Sequence, residues 1–362
     1  MRVPTQLAYA FSAAAAITLL ASCSAGSSPT TPLAENVNSV SQSAVPQVIS
    51  GMEHPTRFPY GPVARQYQNT PHRSLVNKLE LPNSLVYVSY PGAFSVGVYD
   101  RNGKSLGEIA PIADPNGLFV DSNHNLWVVQ TSWPYDPGLF PQMPTILEFA
   151  RGATRASKTL RDKAGYPWDV TICPNGTVYV SNAASFATGG IKGGDIQVYA
   201  SGKTKPMDTL SYPGELRNGY LTCDAAGNVF STFFKSNHAH GYLGGVVEYP
   251  HGKQSGATLL PITITQPGGI KPDNAGNLLL VDQLGKTVCE YTEAGVQTGK
   301  CMATPDSWDG LAVSQNNTVV LGADFYNDRG NSLQFPSGMS SVFYPGATNP
   351  EGVAFDPGQN GI

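Results

Sequence analysis

One twelve-residue pattern, present five times in full and a sixth time in part, constrains this chain more than any other feature. It runs Gly117-Leu-Phe-Val-Asp121-Ser-Asn-His-Asn125-Leu-Trp-Val128. It returns at 169–180, 220–231, 269–280 and 310–321, and a shorter copy covers 352–358. Each copy reads as a short apolar strand, a tight Asp/Asn/Gly turn and a second apolar strand. A second pattern accompanies the first: Val96-Gly-Val-Tyr99, Ile146-Leu-Glu-Phe149, Ile196-Gln-Val-Tyr199, Val246-Val-Glu-Tyr249, Val288-Cys-Glu-Tyr291 and Ser341-Val-Phe-Tyr344. A glycine follows each within a few residues, at 103, 152, 202, 252, 295 and 346. This pattern reads as a third strand and its turn into a fourth.

Four strands in every repeat of 41 to 53 residues describe the blades of a β-propeller. The expected fold is all-β, with six blades of four strands. The first blade has strands at 85–89, 96–99 and 105–109 but no Gly-x-x-x-Asp strand before them, and 350–356 is such a strand with no blade after it. Pairing the C-terminal strand into the first blade closes the ring and removes an open sheet edge. Composition agrees. Charged residues are 13% of the chain, about half the usual share, which argues against coiled coils and long surface helices. A net charge of −4 with no basic run argues against a nucleic-acid partner.

The N-terminal part reads differently. Arg2 and an apolar stretch over 7–20 precede Leu20-Ala21-Ser22-Cys23, which resembles the bacterial lipobox. The resemblance implies cleavage after residue 22 and acylation of Cys23, anchoring the chain outside the cytoplasm on a bacterial envelope membrane, the outer one if the cell has two. Residues 23–75, rich in Ser, Pro and Thr, read as a tether, leaving 76–362 for the propeller. An exported chain with four further cysteines suggests two disulfides. A hairpin centred near Gly295 sets Cys289 against Cys301, and Cys173 and Cys223 fall near the ends of adjacent innermost strands.

The repeat pattern resembles NHL-type propellers and the six-bladed SMP-30/gluconolactonase-like superfamily over roughly 81–356. In those enzymes a divalent metal polarises a lactone carbonyl. Asn116-Gly117, Asp309-Gly310 and Glu351-Gly352 look like that family's ligand motifs, so Asn116, Asp309 and Glu351 are the candidates for a funnel cation such as calcium. They fall on consecutive blades, whereas the family spreads its ligands, and Asn218 is out of register for a fourth. Trp168 and Asp169 take the matching place in blade three.

Four second-to-third-strand connections read as long: 131–144, 182–194, 235–244 and 322–338. They carry Trp133, Tyr135, Phe140, Phe186, His238, Tyr242, Phe325 and Tyr326, aromatics of the kind enriched at binding surfaces. The leading expectation is a monomeric, surface-anchored propeller that binds a small molecule or protein on its funnel face without catalysis. A metal-dependent lactonase and an envelope assembly scaffold are the alternatives.

Overall fold

Alternating apolar positions in short β-branched and aromatic runs, separated by Asp/Asn/Gly turns, fold every repeat into one antiparallel sheet. The computed structural model describes residues 75–76, 81–131, 144–162, 165–185, 193–214, 217–237, 241–314, 316–346 and 349–358. All fall in the unit Thr56–Ile362. From the innermost strand outward, blade two is Pro115–Val120, Leu126–Gln130, Thr145–Phe149 and Lys158–Arg161. Blade three is Gly165–Ile172, Val178–Ser185, Asp195–Tyr199 and Asp208–Leu210. Blade four is Arg217–Cys223, Val229–Asn237, Gly241–Tyr249 and Thr258–Leu259. Blade five is Pro267–Pro272, Leu278–Asp282, Thr287–Tyr291 and Gln297–Ala303. Blade six is Trp308–Val313, Val319–Asp324, Arg329–Gln334 and Ser340–Pro345. Helical structure among the described residues is limited to three-residue 3-10 turns.

Blade one closes the ring as expected. Its innermost strand is the C-terminal Val353–Asp356, paired from Leu85↔Asp356 to Val88↔Val353 with Leu85–Tyr90. Ser95–Asp100 and Ser105–Ile109 follow. Outside them Leu75–Val76 pairs with Gly107 and Glu108 as a fifth strand.

The apolar residues gather into six buried clusters, one at each junction between neighbouring blades. Leu85, Tyr87, Val96 and Val98 meet Leu118, Leu126 and Val128 at the first junction, for example. Tyr90, Tyr99, Leu321 and Tyr344 meet where blade six returns to blade one. Both disulfides are present. Cys289 and Cys301 are directly opposed on the third and fourth strands of blade five, with Cα atoms 4.1 Å apart. Cys173–Cys223 ties blade three to blade four, with Cα atoms 5.4 Å apart.

Three expectations need correction. Residues 341–344 belong to the fourth strand of blade six, and its third strand is Arg329–Gln334. The apolar-x-x-Tyr pattern marks a half-buried strand without saying which one, and Arg-Gly-Asn-Ser-Leu-Gln carries no apolar run to compete with it. The supposed loop over 322–338 is therefore a hairpin, turned by Phe325–Asn327. The supposed loop over 235–244 is also a hairpin, paired out to Asn237↔Gly241. Ser, Asn and Gly lower strand propensity there, but the backbone ladder continues regardless.

Candidate functional site

The innermost strands share one irregularity. Pairing skips two residues between Pro115 and Leu118, Asn218 and Leu221, Pro267 and Ile270, and Trp308 and Leu311. The residues thrown out of the ladder are Asn116-Gly117, Gly219-Tyr220, Gly268-Gly269 and Asp309-Gly310. Blade three skips Trp168 between Pro167 and Asp169. In blade one Ser89 brackets Glu351-Gly352, exchanging backbone bonds with both and accepting the Gly352 N–H on its Oγ at 2.7 Å. Bulges of this kind re-aim side chains. Here they turn two residues from each of blades two, four, five and six, and Trp168 of blade three, toward the propeller axis.

The inner ring of these positions is Gly117, Asp169, Tyr220, Gly269, Gly310 and Gly352, and together they line the axial channel. A Cβ on Gly352 would strike the Asn116 carbonyl oxygen, and one on Gly310 would lie 2.7 Å from the Glu351 carbonyl oxygen. Backbone crowding at the hub thus explains the repeat glycine. Asp169 and Tyr220 stand where four blades have glycine, and with Lys271 they line a hub cavity of about 10 Å³. Asp169 Oδ2 accepts the Leu221 N–H at 2.9 Å. Burial pushes its carboxyl up, against the pull of Lys271. Burial pushes the Lys271 ammonium down, and Nζ donates to the Leu221 carbonyl at 3.3 Å.

The outer ring is Asn116, Trp168, Gly219, Gly268, Asp309 and Glu351. Acids occupy one side of it. Burial, then the charges of Asp114 and Asp309, hold the Glu351 carboxyl well above the usual carboxylate range. Burial also pushes Asp309 up to about 7, against a hydrogen bond from Gln283. Asp114 rises to about 7 for the same first reason, opposed by a hydrogen bond with Tyr166. Asn116 sits between Glu351 and Trp168 in this ring. It donates from Nδ2 to Thr131 Oγ1 at 2.8 Å, while its buried Oδ1 has no partner.

Aromatic rings occupy the other side. Trp168 lies 6.2 Å from Tyr166 and meets Tyr220 edge-on at 6.4 Å. The charges of Asp309 and Glu351 act on the Tyr220 hydroxyl, whose pKa burial raises far above normal. Gly219 and Gly268 put no side chain into the ring: a Cβ on Gly219 would meet Thr232 Oγ1 at 2.6 Å, and one on Gly268 would meet the Asp309 carbonyl oxygen at 2.8 Å. The result is a cup-like ring at the hub, acidic on blades six, one and two and aromatic on blades three and four.

The sequence candidates divide accordingly. Asn116, Trp168, Asp309 and Glu351 share the outer ring, and Asp169 lies in the inner ring. Asn218 takes the register of Trp308, which faces the core between blades five and six, so it is outside the ring. Tyr326 is on the rim, where Asp309 raises its hydroxyl after burial, and it stacks edge-on with Phe325 at 5.3 Å. Tyr242 lies on the long hairpin of blade four. Cys23, Trp133, Tyr135, Phe140, Phe186 and His238 lie outside the described residues. Sequence reasoning missed Asp114, Tyr166 and Tyr220. Tyr220 was visible as a bulky residue in the repeat-glycine place; Asp114 and Tyr166, upstream of the pattern, carried no signal. Among the described residues no three His, Cys, Asp or Glu side chains form a group that could hold a metal ion.

No family model matches this chain, and no curated protein does. Solved structures do match. A chain of a nidogen/laminin complex aligns with a TM-score of 0.59 at 12% identity, covering 75% of this chain and 98% of its own. A chain of hydrazine synthase from Kuenenia stuttgartiensis aligns at 0.53 and 13%, covering 74% and 98%. A streptogramin B lyase aligns at 0.51 and 14%, covering 80% and 88%. The chain is a six-bladed β-propeller. At such identities the likeness carries the fold alone, because propellers host enzymes, binders and scaffolds alike.

Proposed function

We propose that this protein is a lipid-anchored envelope propeller that binds a ligand in the funnel cup without transforming it. The observation that carries the binding reading is the half-acidic, half-aromatic ring of the cup. Burying three carboxyl groups beside one another weakens the fold, and Gly219 and Gly268 show that the outer ring closes without a side chain. Residues that cost stability and are not needed for the ring are best accounted for by something they hold. The anchoring rests on Leu20-Ala21-Ser22-Cys23. Cys23→Ser should release soluble protein or leave an uncleaved precursor; a cleaved Cys23→Ser protein still in the membrane fraction would contradict it.

A second reading has one observation in its favour. A carboxyl pushed up to about 7, such as Asp309, is suited to general acid–base catalysis at neutral pH. One experiment separates the two. Purified protein is screened against lactones with and without added divalent metal, beside Asp309→Asn. Turnover lost in the variant would replace binding with hydrolysis. No turnover, with ligand binding in the cup, supports the proposal.

A further inference from the structure

Away from the hub, a cavity of about 640 Å³ lies between blades one and two. Its walls follow from strand alternation. Blade one contributes Ile109 and the segment after it, which is held by the Ile112 N–H on the Phe94 carbonyl at 2.8 Å. Blade two contributes Thr145, Leu147 and Phe149 from its third strand and Thr159 and Arg161 from its fourth. These are alternate residues, so they share one face of the sheet. Ile146 and Leu160, between them, pack toward blade three instead. Ile109, Ile112 and Phe149 belong to the buried cluster of the first junction, so the apolar wall is continuous with the core.

A polar row crosses the same face. Gln130, Thr145 and Arg161 are directly opposed on the second, third and fourth strands of blade two, and all three line the cavity. Opposed residues of an antiparallel sheet put their side chains on the same side. Gln130 Oε1 accepts the Ala113 N–H at 3.3 Å, which leaves its amide nitrogen to donate. Thr145 is 9% exposed, and its Oγ1 has no partner. A buried hydroxyl without a partner costs free energy that an occupant able to bond it recovers. Arg161 is exposed, and among the described residues its guanidinium has no partner.

Charge decides what such a row accepts. Among the described residues of the wall there is no Asp or Glu. The acids next in sequence are engaged elsewhere. Glu148 bonds Lys158 Nζ at 3.0 Å, and Asp162 accepts Asn182 Nδ2 at 3.0 Å. Glu108 acts on the Tyr99 hydroxyl, at the junction of blades six and one. What remains is a guanidinium fork beside an amide and a hydroxyl, a donor set matched to a carboxylate. Small-molecule sites occupy about 300–1,000 Å³, with mostly apolar walls and a few placed polar groups, and this cavity has that size and make-up.

We infer that the cavity between blades one and two binds a small organic carboxylate, with the carboxylate on Arg161, Gln130 and Thr145 and an apolar body against Ile109, Leu147 and Phe149. This site is separate from the funnel cup and does not depend on the cup's reading.

The test uses 3-phenylpropionate and its neutral isostere 3-phenylpropanamide, titrated calorimetrically into the full chain at neutral pH. The carboxylate should bind saturably and about tenfold or more tighter than the amide. Arg161→Gln should bring the carboxylate down to the amide's affinity and leave the amide unchanged. The side chain is exposed, so the melting temperature should not move. Thr159→Trp, exposed on the outermost strand, places an indole against the cavity and should weaken both probes. Glu351→Gln, in the cup, should change neither. Equal binding of the two probes would overturn the carboxylate class, and so the inference. Binding weakened by Glu351→Gln but untouched by Arg161→Gln would place the probe in the cup, overturning this site and supporting the cup. Absence of saturable binding by either probe would overturn this site and leave the reading of the cup as it stands.

Discussion

Asp356 shows what a fully buried charge does in this molecule. It accepts His124 Nδ1 at 2.7 Å, Arg151 Nε at 2.5 Å and the Gly358 N–H at 2.9 Å. Arg151 also donates to the Pro82 and Asn83 carbonyls, so one carboxylate clamps the C-terminal strand to blade two and to the lead-in of blade one. Asp356→Ala leaves the guanidinium without its anion and should cost ~3–5 kcal/mol in urea unfolding, with Asp356→Asn costing less. The cup acids work in the opposite direction. Asp309 and Asp114 are raised to about 7, and Glu351 is raised too, so the folded state binds more protons than the unfolded chain between about pH 4 and 7. Their contribution to stability is therefore greatest below the unfolded pKa near 4 and is lost as pH rises through 7. Facing them are Tyr166 and, staying neutral over that span, Tyr220 and Tyr326, and beyond these the Lys286–Asp306 pair and Asp169 with Lys271. Melting temperature measured from pH 8 down to pH 5 should rise from this source, and the rise should shrink in Asp309→Asn. An unchanged slope in that variant would contradict the assignment.

At the scale of the element, the innermost strand is the unit that builds both hub and site. Its bulge brings backbones so close that Gly352→Ala would drive a methyl group onto the Asn116 carbonyl and within 3.1 Å of Leu118. Overpacking of this kind should cost ~1–3 kcal/mol, read as a lowered midpoint in chemical unfolding. On the outer part of blade five, Cys289–Cys301 spans 12 residues, and replacing both cysteines by serine should cost roughly 3 kcal/mol at most. The repeat glycine made the strands, the closure and both disulfides legible in advance, because each follows from period and register. Strand rank in blade six was not legible, since Arg329–Gln334 presents backbone pairing without an apolar alternation. The hairpin carrying Lys235 and Leu243 was read as a loop for the same reason. The site was half legible. Asn116, Asp309, Glu351 and Trp168 share a place in the pattern. Asp114 and Tyr166 reach the cup from outside it, and only the assembled ring brings them to the same axis.

For the whole molecule, six junctions of buried side chains make the propeller cooperative, and the junction between blades six and one depends on Val353–Asp356. Ending the chain after residue 348 would strip Leu85–Tyr90 of its partner and expose an apolar sheet edge. The truncated protein should lose its single cooperative melting transition and self-associate, as seen by calorimetry and size-exclusion chromatography; a monomer melting like the parent would show that the ring does not need this latch. The closed ring is also what makes the cup, because acids from blades six, one and two face aromatics from blades three and four only when blade one is completed. Direct titration of the side-chain carboxyls by carbon-13 NMR tests that arrangement. A carboxyl titrating near pH 7, absent from the spectrum of Asp309→Asn, with a second high-titrating carboxyl that Glu351→Gln removes, is the expected result. If instead every Asp and Glu of the folded protein titrates in the ordinary range near pH 4, there is no desolvated acidic cup and the functional reading built on it is wrong.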